Sequence, residues 1–462
     1  MGNSSHPTRF ALISPYTGSN LGDAMILEGL IRHLQRRVPE AAIVGVTLDP
    51  RRFSGIHRWP SVNLTLTPRA FYYSPPVTPK NTERQTGRTP TPSEPAPSTS
   101  FGARVVKRLK RSSLLRATWN SLRSARGILR VACCEVKHLR QAIGTVRNSS
   151  ALIVSGGGQF DEEFGGPWGH PYSLAKWGTL AHIFGRKFFI AGVGVCELDS
   201  TRSISLVRTA LRRAASITVR DEGSLALARK ISPTAPTRLM ADLSFLMATG
   251  WQRSWPSQPA RPLTIGVSPI AFAREGSWPT ANPALFERYL AEFVEFVRAC
   301  LEQRHRIRLF CTDEPDIRIA NEVFRQIDGT AAGLSEEFKV IPMLPVDEHL
   351  EFMRELDIVV ASRLHGVILA HLASTPTIAV SYSRKVRAHM ESIDQLTYCC
   401  SIEDFTHSRL IALITDMSPR LNDIAEHLRR ACNVRRSTAT ADVDNLLKLS
   451  LNTVIPANAE PA

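Results

Sequence analysis

The chain has 462 residues, 43% of them hydrophobic and 21% charged, and a formal net charge of +15. That length exceeds one compact core and fits two domains, and the apolar share is ordinary for a soluble globular protein. No run of about eighteen apolar residues occurs, so no transmembrane helix is expected, and eight scattered cysteines without a Cys-x-x-Cys pair suggest neither a zinc site nor a disulfide framework. The polar start, Met1 to Pro7, leads straight into an apolar run and lacks a secretory pattern. His6 stands where a myristoylation signal wants Ser or Thr. A cytoplasmic protein is the expectation.

In chain order, short apolar runs and longer amphipathic stretches alternate. Strands are predicted at Arg9 to Ser14, Ala42 to Thr47, Ala151 to Val154, Phe188 to Val193, Ser216 to Val219 and Thr237 to Met240, with helices at Ala24 to Arg37, Tyr172 to Phe184, Ile204 to Ala215 and Ser224 to Ile231. Residues 252–262, rich in Pro, Ser and Gln, read as a hinge. The rhythm then restarts with strands at Leu263 to Val267, Ile307 to Cys311, Lys339 to Ile341, Ile358 to Ala361 and Thr377 to Val380. Helices at Asn282 to Gln303, Ile317 to Gln326, Val346 to Leu356 and Val367 to Ala373 separate them. Strands spaced by helices in this way predict parallel sheets, hence an α/β chain of two Rossmann-like domains facing a cleft. The domains expected are 1–251 and 263–452, with 453–462 a loose tail.

The positive charge is local. Residues 101–147 carry twelve Lys or Arg against one acid, Glu135, which places +11 of the +15 there. Residues 74–100, rich in Pro, Thr and Ser, read as a disordered linker before it. Leu115, Trp119, Leu122, Leu129, Cys133 and Val136 fall on one helical stripe beside Arg116, Arg123, Arg130 and Lys137, the pattern of a basic amphipathic helix. Two readings stand, a surface helix with its stripe in the core and an interfacial helix resting on an anionic membrane surface. No nucleic-acid partner is expected, because no aromatic platform or known module accompanies the charge.

Four strand ends carry candidate chemistry. The strand Ile358 to Ala361 runs into the turn Ser362-Arg363-Leu364-His365-Gly366, where a guanidinium and an imidazole lie two residues apart beside a helix N-terminus. Such a place suits a small phosphorylated or carboxylated ligand. After the first strand, Gly18 to Ile26 offers close backbone approach at Gly22, the Asn20 amide, and Asp23 at the start of a helix as N-cap or catalyst. Gly156, Gly157 and Gly158 let a sugar or anion lie against bare backbone, and the segment from Gln159 to His170 mixes acids, aromatics and glycines as an acceptor-side loop would. Arg220-Asp221 is open to ligand binding by the arginine and helix capping by the aspartate. Arg384 and Lys385 are open to rim charge, Asp313 and Asp316 to helix capping, and His371 to packing.

Ser362-Arg-Leu-His-Gly366 with its apolar helix, then Ser374-Thr-Pro-Thr-Ile-Ala-Val-Ser-Tyr382 and Arg384-Lys-Val386, resembles the C-terminal signature of the polysaccharide pyruvyl transferase family. Gly18 to Ile26, Ser155 to Gly158, Gly192 to Val195, Val219 to Ser224, Ala241 to Phe245 and Thr312 to Asp316 agree in order and spacing, so the resemblance spans residues 10–390. It implies a two-domain layout shared with many glycosyltransferases. It implies transfer of a pyruvyl group from phosphoenolpyruvate, as co-substrate and without cofactor or metal, to two hydroxyls of a sugar in a polysaccharide or lipid-linked glycan. Arg220, Arg363 and Lys385 would then hold the donor, with His365 as general acid or stabiliser of the leaving phosphate. Asp161 matches the acid the family places after the triple glycine and would serve as base, with Glu162 and Glu163 left as alternatives. A lipid-borne acceptor would put the protein at the inner face of the plasma membrane. A nucleotide-sugar glycosyltransferase of similar fold and a silent scaffold of a glycan assembly complex are the competing readings.

Overall fold

The computed structural model describes residues 8–65, 133–162, 165–196, 198–251, 254, 262–275, 278, 281–328 and 336–451. Contacts divide the chain into one large unit, residues 1–65 with 145–462, and a small one, residues 66–144. The predicted linker 74–100, most of the basic stripe and the tail 453–462 lie outside the described residues. Of that stripe, Cys133 and Val136 are described; both are exposed, so the core reading does not hold for them.

Two parallel sheets form the large unit. The first contains β1 (Arg9–Ile13), β2 (Ala42–Thr47), β3 (Ser61–Asn63), β4 (Ala151–Ser155), β5 (Lys187–Val193), β6 (Ser216–Val219) and β7 (Thr237–Leu239), in the order β3-β2-β1-β4-β5-β6-β7. The second contains β8 (Thr264–Ser268), β9 (Arg306–Leu309), β10 (Phe338–Val340), β11 (Ile358–Ala361), β12 (Thr377–Ser381) and β13 (Cys399–Ser401), in the order β10-β9-β8-β11-β12-β13. Strands such as β4 and β11 are buried at every position, which is why they read as unbroken apolar runs rather than alternating ones. The α/β, doubly wound expectation therefore holds in both halves. β3 and a helix at Pro50–His57, started by an Asp49 cap with proline in its first turn, were not among the predicted elements.

In both sheets the strand order reverses beside the first strand, at β1/β4 and at β8/β11, and a ligand crevice forms outside strand ends at such a reversal. α1 (Leu21–Arg37) follows β1, and a helix that we label α2 (Leu364–Leu372) follows β11. The helix was expected to begin at Val367. It begins three residues earlier, so Leu364, His365 and Gly366 form its first turn, with Arg363 in extended backbone at the N-cap.

The halves share their cores. Leu21 and Met25 of α1 join Phe245, Met247 and Ala248 in the cluster built around the second sheet. The last helix, Leu421–Leu451, packs Leu421, Ile424 and Leu428 there, while its later residues Ala439, Val443 and Leu447 enter the core of the first sheet. No helix among the described residues is long and apolar enough to cross a membrane.

Candidate functional site

The strand end after β1, at the first switch point, is stitched by backbone to the strand end after β9 of the second sheet. Leu21 N–H donates to Thr312 O at 2.8 Å, Glu314 N–H donates to Ser19 O at 3.0 Å, and Asn20 and Asp313 form an isolated antiparallel bridge. Asn20 is the N-cap of α1: its Oδ1 accepts the N–H groups of Gly22 at 2.9 Å and Asp23 at 3.1 Å, and its side chain also bonds Asp313. The expected ligand amide is thus committed to the cap, and the cap expected of Asp23 belongs to Asn20. Gly22 is required by contact, since a Cβ there would lie 2.0 Å from His365 Nδ1.

Gly156 and Gly157 hold φ of +52° and +71°, a region that suits glycine, and a Cβ on Gly157 would lie 3.2 Å from Asp23 Oδ1. Their turn is pinned by Gly194 N–H donating to Gly157 O at 2.8 Å. Next to it, Asp161 is 6% exposed, and its buried Oδ1, without a hydrogen bond, lies 3.6 Å from His170 Nδ1. A Cβ on Gly158 would be 3.6 Å from Asp161 Oδ2 and 4.0 Å from Lys385 Nζ. Lys385 therefore points inward, its Nζ donating to Cys196 Sγ at 3.1 Å, while Arg384 beside it is exposed. Of the alternatives to Asp161, Glu162 accepts the Ser200 N–H at 3.0 Å, and Glu163 lies outside the described residues.

On the facing side, Arg220 follows β6 and its Nη1 donates to Asp242 Oδ2 at 3.1 Å; Asp221 Oδ2 is 3.8 Å from its Nε, which is buried without a hydrogen bond. Asp221 caps the helix Glu222–Ile231 through Ser224 N–H at 2.7 Å, as expected. Asp242 also receives both the N–H and the hydroxyl of Ser244, and its Oδ2 lies 3.9 Å from His365 Nε2, itself buried without a hydrogen bond. Arg363 reaches past β8 to the end of β9: it bonds Asp316 through Nε and Nη2, and Nη2 is 3.1 Å from Asp313 Oδ2. Asp316 makes no cap, because it is wholly buried and also accepts the Ala271 N–H at 3.0 Å. Ser362 is buried at the end of β11, Leu364 packs partly into the core, and a Cβ on Gly366 would meet ordinary contacts at 3.5 Å and beyond. His371 is packed, with its Nδ1 3.0 Å from His389 Nε2.

Burial sets the protonation states. It pushes His365 down to about 4, the attraction of Asp242 opposing and Arg220, Lys385 and Arg363 adding to the fall, so the imidazole is neutral near pH 7. It pushes Asp23 up to about 7, with Asp313 adding, and Asp313 up to about 6, against Arg363. Asp242 goes the other way: against its burial, Arg220, His365 and the Ser244 bonds hold it below the usual range. Cations, a neutral imidazole and carboxylates of differing proton affinity therefore act on one another around His365 and Asp23. Asp242, His170 and Cys196 were not among the predicted site residues. Asp242 stood in the matched stretch Ala241 to Phe245 and was the most findable of them.

The model of the family described as polysaccharide pyruvyl transferase matches residues 20–384. No curated protein matches the chain. Among solved structures, a putative UDP-N-acetylglucosamine 2-epimerase from Listeria monocytogenes is similar over 98% of this chain and 100% of its own, with TM-score 0.55 and 12% identity. HepE of Anabaena, in complex with UDP and glucose, matches over 97% of this chain and 100% of its own, with TM-score 0.52 and 11% identity. The UDP-GlcNAc 2-epimerase from Neisseria meningitidis, bound to UDP-GlcNAc, matches over 96% and 100%, with TM-score 0.53 and 8% identity. At these identities the likeness is one of fold, the two-domain layout of such glycosyltransferases and epimerases.

Proposed function

The chain belongs to the polysaccharide pyruvyl transferase family, and on that premise we propose that it moves the enolpyruvyl group of phosphoenolpyruvate onto two hydroxyls of one sugar, forming a cyclic ketal and releasing phosphate. The observation that carries this reading is the meeting of Arg220 and Lys385 beside the neutral His365, with Arg363, itself held by Asp313 and Asp316, adding to the positive field; all three depress the proton affinity of the imidazole. A donor bearing a carboxylate and a phosphate needs several cationic groups in one place, and a dry site strengthens each contact. Arg220 offers a buried Nε with no hydrogen bond and Lys385 a charge beside Gly158. Gly156 and Gly157 are packed against Ile26, Pro15 and Asp23, so the sugar approaches the turn at the half-buried Gly158, beside Asp161 and Lys385.

In this mechanism Asp161, steered by His170 at 3.6 Å, accepts the proton of the attacking sugar hydroxyl. His365, neutral at working pH, donates a hydrogen bond to the phosphate as it leaves rather than a full proton. The acceptor is a glycan, and its carrier a lipid. Residues 101–147, with their net +11, contact the anionic leaflet on which that lipid lies. Binding to anionic vesicles then weakens with salt over a Debye length of about 10 Å at 0.1 M, and reversing Arg116, Arg123 and Arg130 to Glu abolishes it while activity on a soluble glycoside remains.

The deciding experiment incubates the protein with phosphoenolpyruvate and a panel of glycosides and follows phosphate release, with the melting temperature recorded against phosphoenolpyruvate and against nucleoside diphosphates. Phosphate release and stabilisation by phosphoenolpyruvate are expected. Stabilisation by nucleoside diphosphates alone would move the protein to nucleotide-sugar transfer.

A further inference from the structure

Ketal formation needs a step that neither Asp161 nor His365 supplies. The methylene carbon of phosphoenolpyruvate must become a methyl group, so a proton donor has to be protonated at working pH and sit at the donor. The neutral imidazole of His365 is a poor source, and Asp161 is engaged on the hydroxyl. Resting on the pyruvyl-transfer reading, we infer that Asp23 is the acid that protonates this carbon.

Its position is the first argument. Asp23 sits in the first turn of α1, where a carboxylate is ordinarily drawn into capping the helix. Asn20 already does that, and with Gly22 bare against His365 the turn approaches the second switch point closely. The Asp23 carboxyl is left facing the glycine turn, its Oδ1 3.2 Å from where a Cβ of Gly157 would be, with no hydrogen bond or ion pair among the described residues. The groups around it come from every strand end of the seam: Asp313 after β9, Arg220 after β6, Asp242 after β7 and His170 beyond the triple glycine, with His365 across Gly22. Arg363 is held by Asp316 and Asp313, and the close pair that Arg220 makes is with Asp242, so a half-buried carboxyl in the field of two other aspartates holds its proton more tightly than a free one. Burial, with Asp313 and Asp242 adding and Arg220 and His170 opposing, lifts Asp23 to about 7, the value that general-acid work near neutrality calls for.

The step balances. The Asp23 O–H bond breaks and a C–H bond forms at the methylene carbon; the π electrons of the enol leave the neighbouring carbon, to which the first sugar hydroxyl oxygen bonds, its proton passing to Asp161. The carbon–oxygen bond to phosphate then breaks, the second hydroxyl adds to the same carbon, and its proton leaves with the phosphate. The proton on Asp161 returns through solvent to Asp23. Net, one hydroxyl proton appears in the new methyl group and the other on phosphate.

The test compares the full-length protein with Asp23→Asn and Asp23→Glu, using phosphoenolpyruvate and whichever glycoside the wild type accepts. Asp23→Asn is expected to lower kcat by about 10²–10⁴-fold, the usual worth of a general acid, with the KM for phosphoenolpyruvate changed less than about threefold. In the wild type kcat/KM falls as pH rises through about 7; the asparagine variant loses that limb, and the glutamate variant recovers part of the rate together with it. A purely structural residue would not move the limb. Because the ionised carboxyl is disfavoured by burial, Asp23→Asn should melt no lower than wild type at a pH of about 8, which separates lost chemistry from lost fold. An asparagine variant that turns over within about threefold of wild type, or one that keeps the limb, overturns the assignment to Asp23 and leaves pyruvyl transfer standing. A wild-type activity that instead rises with pH through about 7, with that rise lost in Asp23→Asn, makes Asp23 a base and also overturns it. If the wild type releases no phosphate from phosphoenolpyruvate, the functional reading itself falls.

Discussion

Two arginines stand at strand ends facing the same seam, Arg220 after β6 and Arg363 after β11, and the protein holds them in opposite ways. Arg363 is clasped by two carboxylates, one of them the wholly buried Asp316, and these raise its proton affinity further. Arg220 makes one close pair, with Asp242, and keeps a buried Nε without a hydrogen bond. A buried donor left without an acceptor is costly to the resting protein and disposed to take one from a ligand. Two residues with equal formal charge thus divide into a tie between strand ends and, on the proposed function, an anchor for the anionic donor.

The hardest test of this division is Arg363→Ala. Removing one partner of a buried ion pair leaves Asp316 uncompensated and should cost roughly 3–5 kcal/mol of folding stability, read by urea denaturation. A variant that folds as tightly as wild type but binds phosphoenolpyruvate poorly would reverse the two roles. Next in size is Gly22→Ala. The added Cβ, 2.0 Å from His365 Nδ1, must displace the imidazole or the helix start, and a misplacement on the order of 1 Å lowers turnover about 100-fold. Full activity would show that the contact between α1 and His365 is not needed for chemistry. Arg220→Lys keeps a charge for Asp242 but loses the planar fork, so the KM for phosphoenolpyruvate should rise about tenfold with little change in melting temperature. An unchanged KM would leave donor binding to Lys385.

The smallest effect concerns pH. His365 and His349 are each depressed to about 4 by burial, His389 to about 3, and His371 well below its ordinary value. In the unfolded chain these imidazoles take up protons at about 6.5. Between there and about 4 the unfolded state binds more protons than the native one, so stability falls as pH is lowered through that window. Asp23, raised from 3.8 to about 7, works the other way and loses native stability as pH rises across nearly the same range. Asp313, raised to about 6, acts in the same sense as Asp23, but with four imidazoles against two carboxyls the melting temperature should drop from about pH 7 to about pH 4.5, and drop less in His389→Gln. A flat profile would mean that these histidines are not held neutral.

Much of the fold was legible because parallel strands buried on both faces leave apolar runs that pattern alone detects, as at Ala151 to Ser155 and Ile358 to Ala361. The helix Pro50–His57 was legible too and went unread, although Asp49 before a proline is an N-cap signal. Individual partners were not legible. Asp242 lies 22 residues from Arg220, and Asp316 lies 47 from Arg363, with strands and helices between. Which aspartate reaches which arginine depends on the sheet order, and no local pattern carries that.

By itself the sequence determined the two doubly wound halves, the strand ends where chemistry gathers, and the residue types present there, because periodicity, glycine placement and turn chemistry act over a few residues. Only the tertiary structure decided that Asn20 caps α1 and releases Asp23, that Gly22 yields its space to His365, and that Arg363 is neutralised while Arg220 keeps an open donor. Those outcomes depend on burial and on charges brought together from distant strand ends, and both arise only when the strand ends of the two sheets meet.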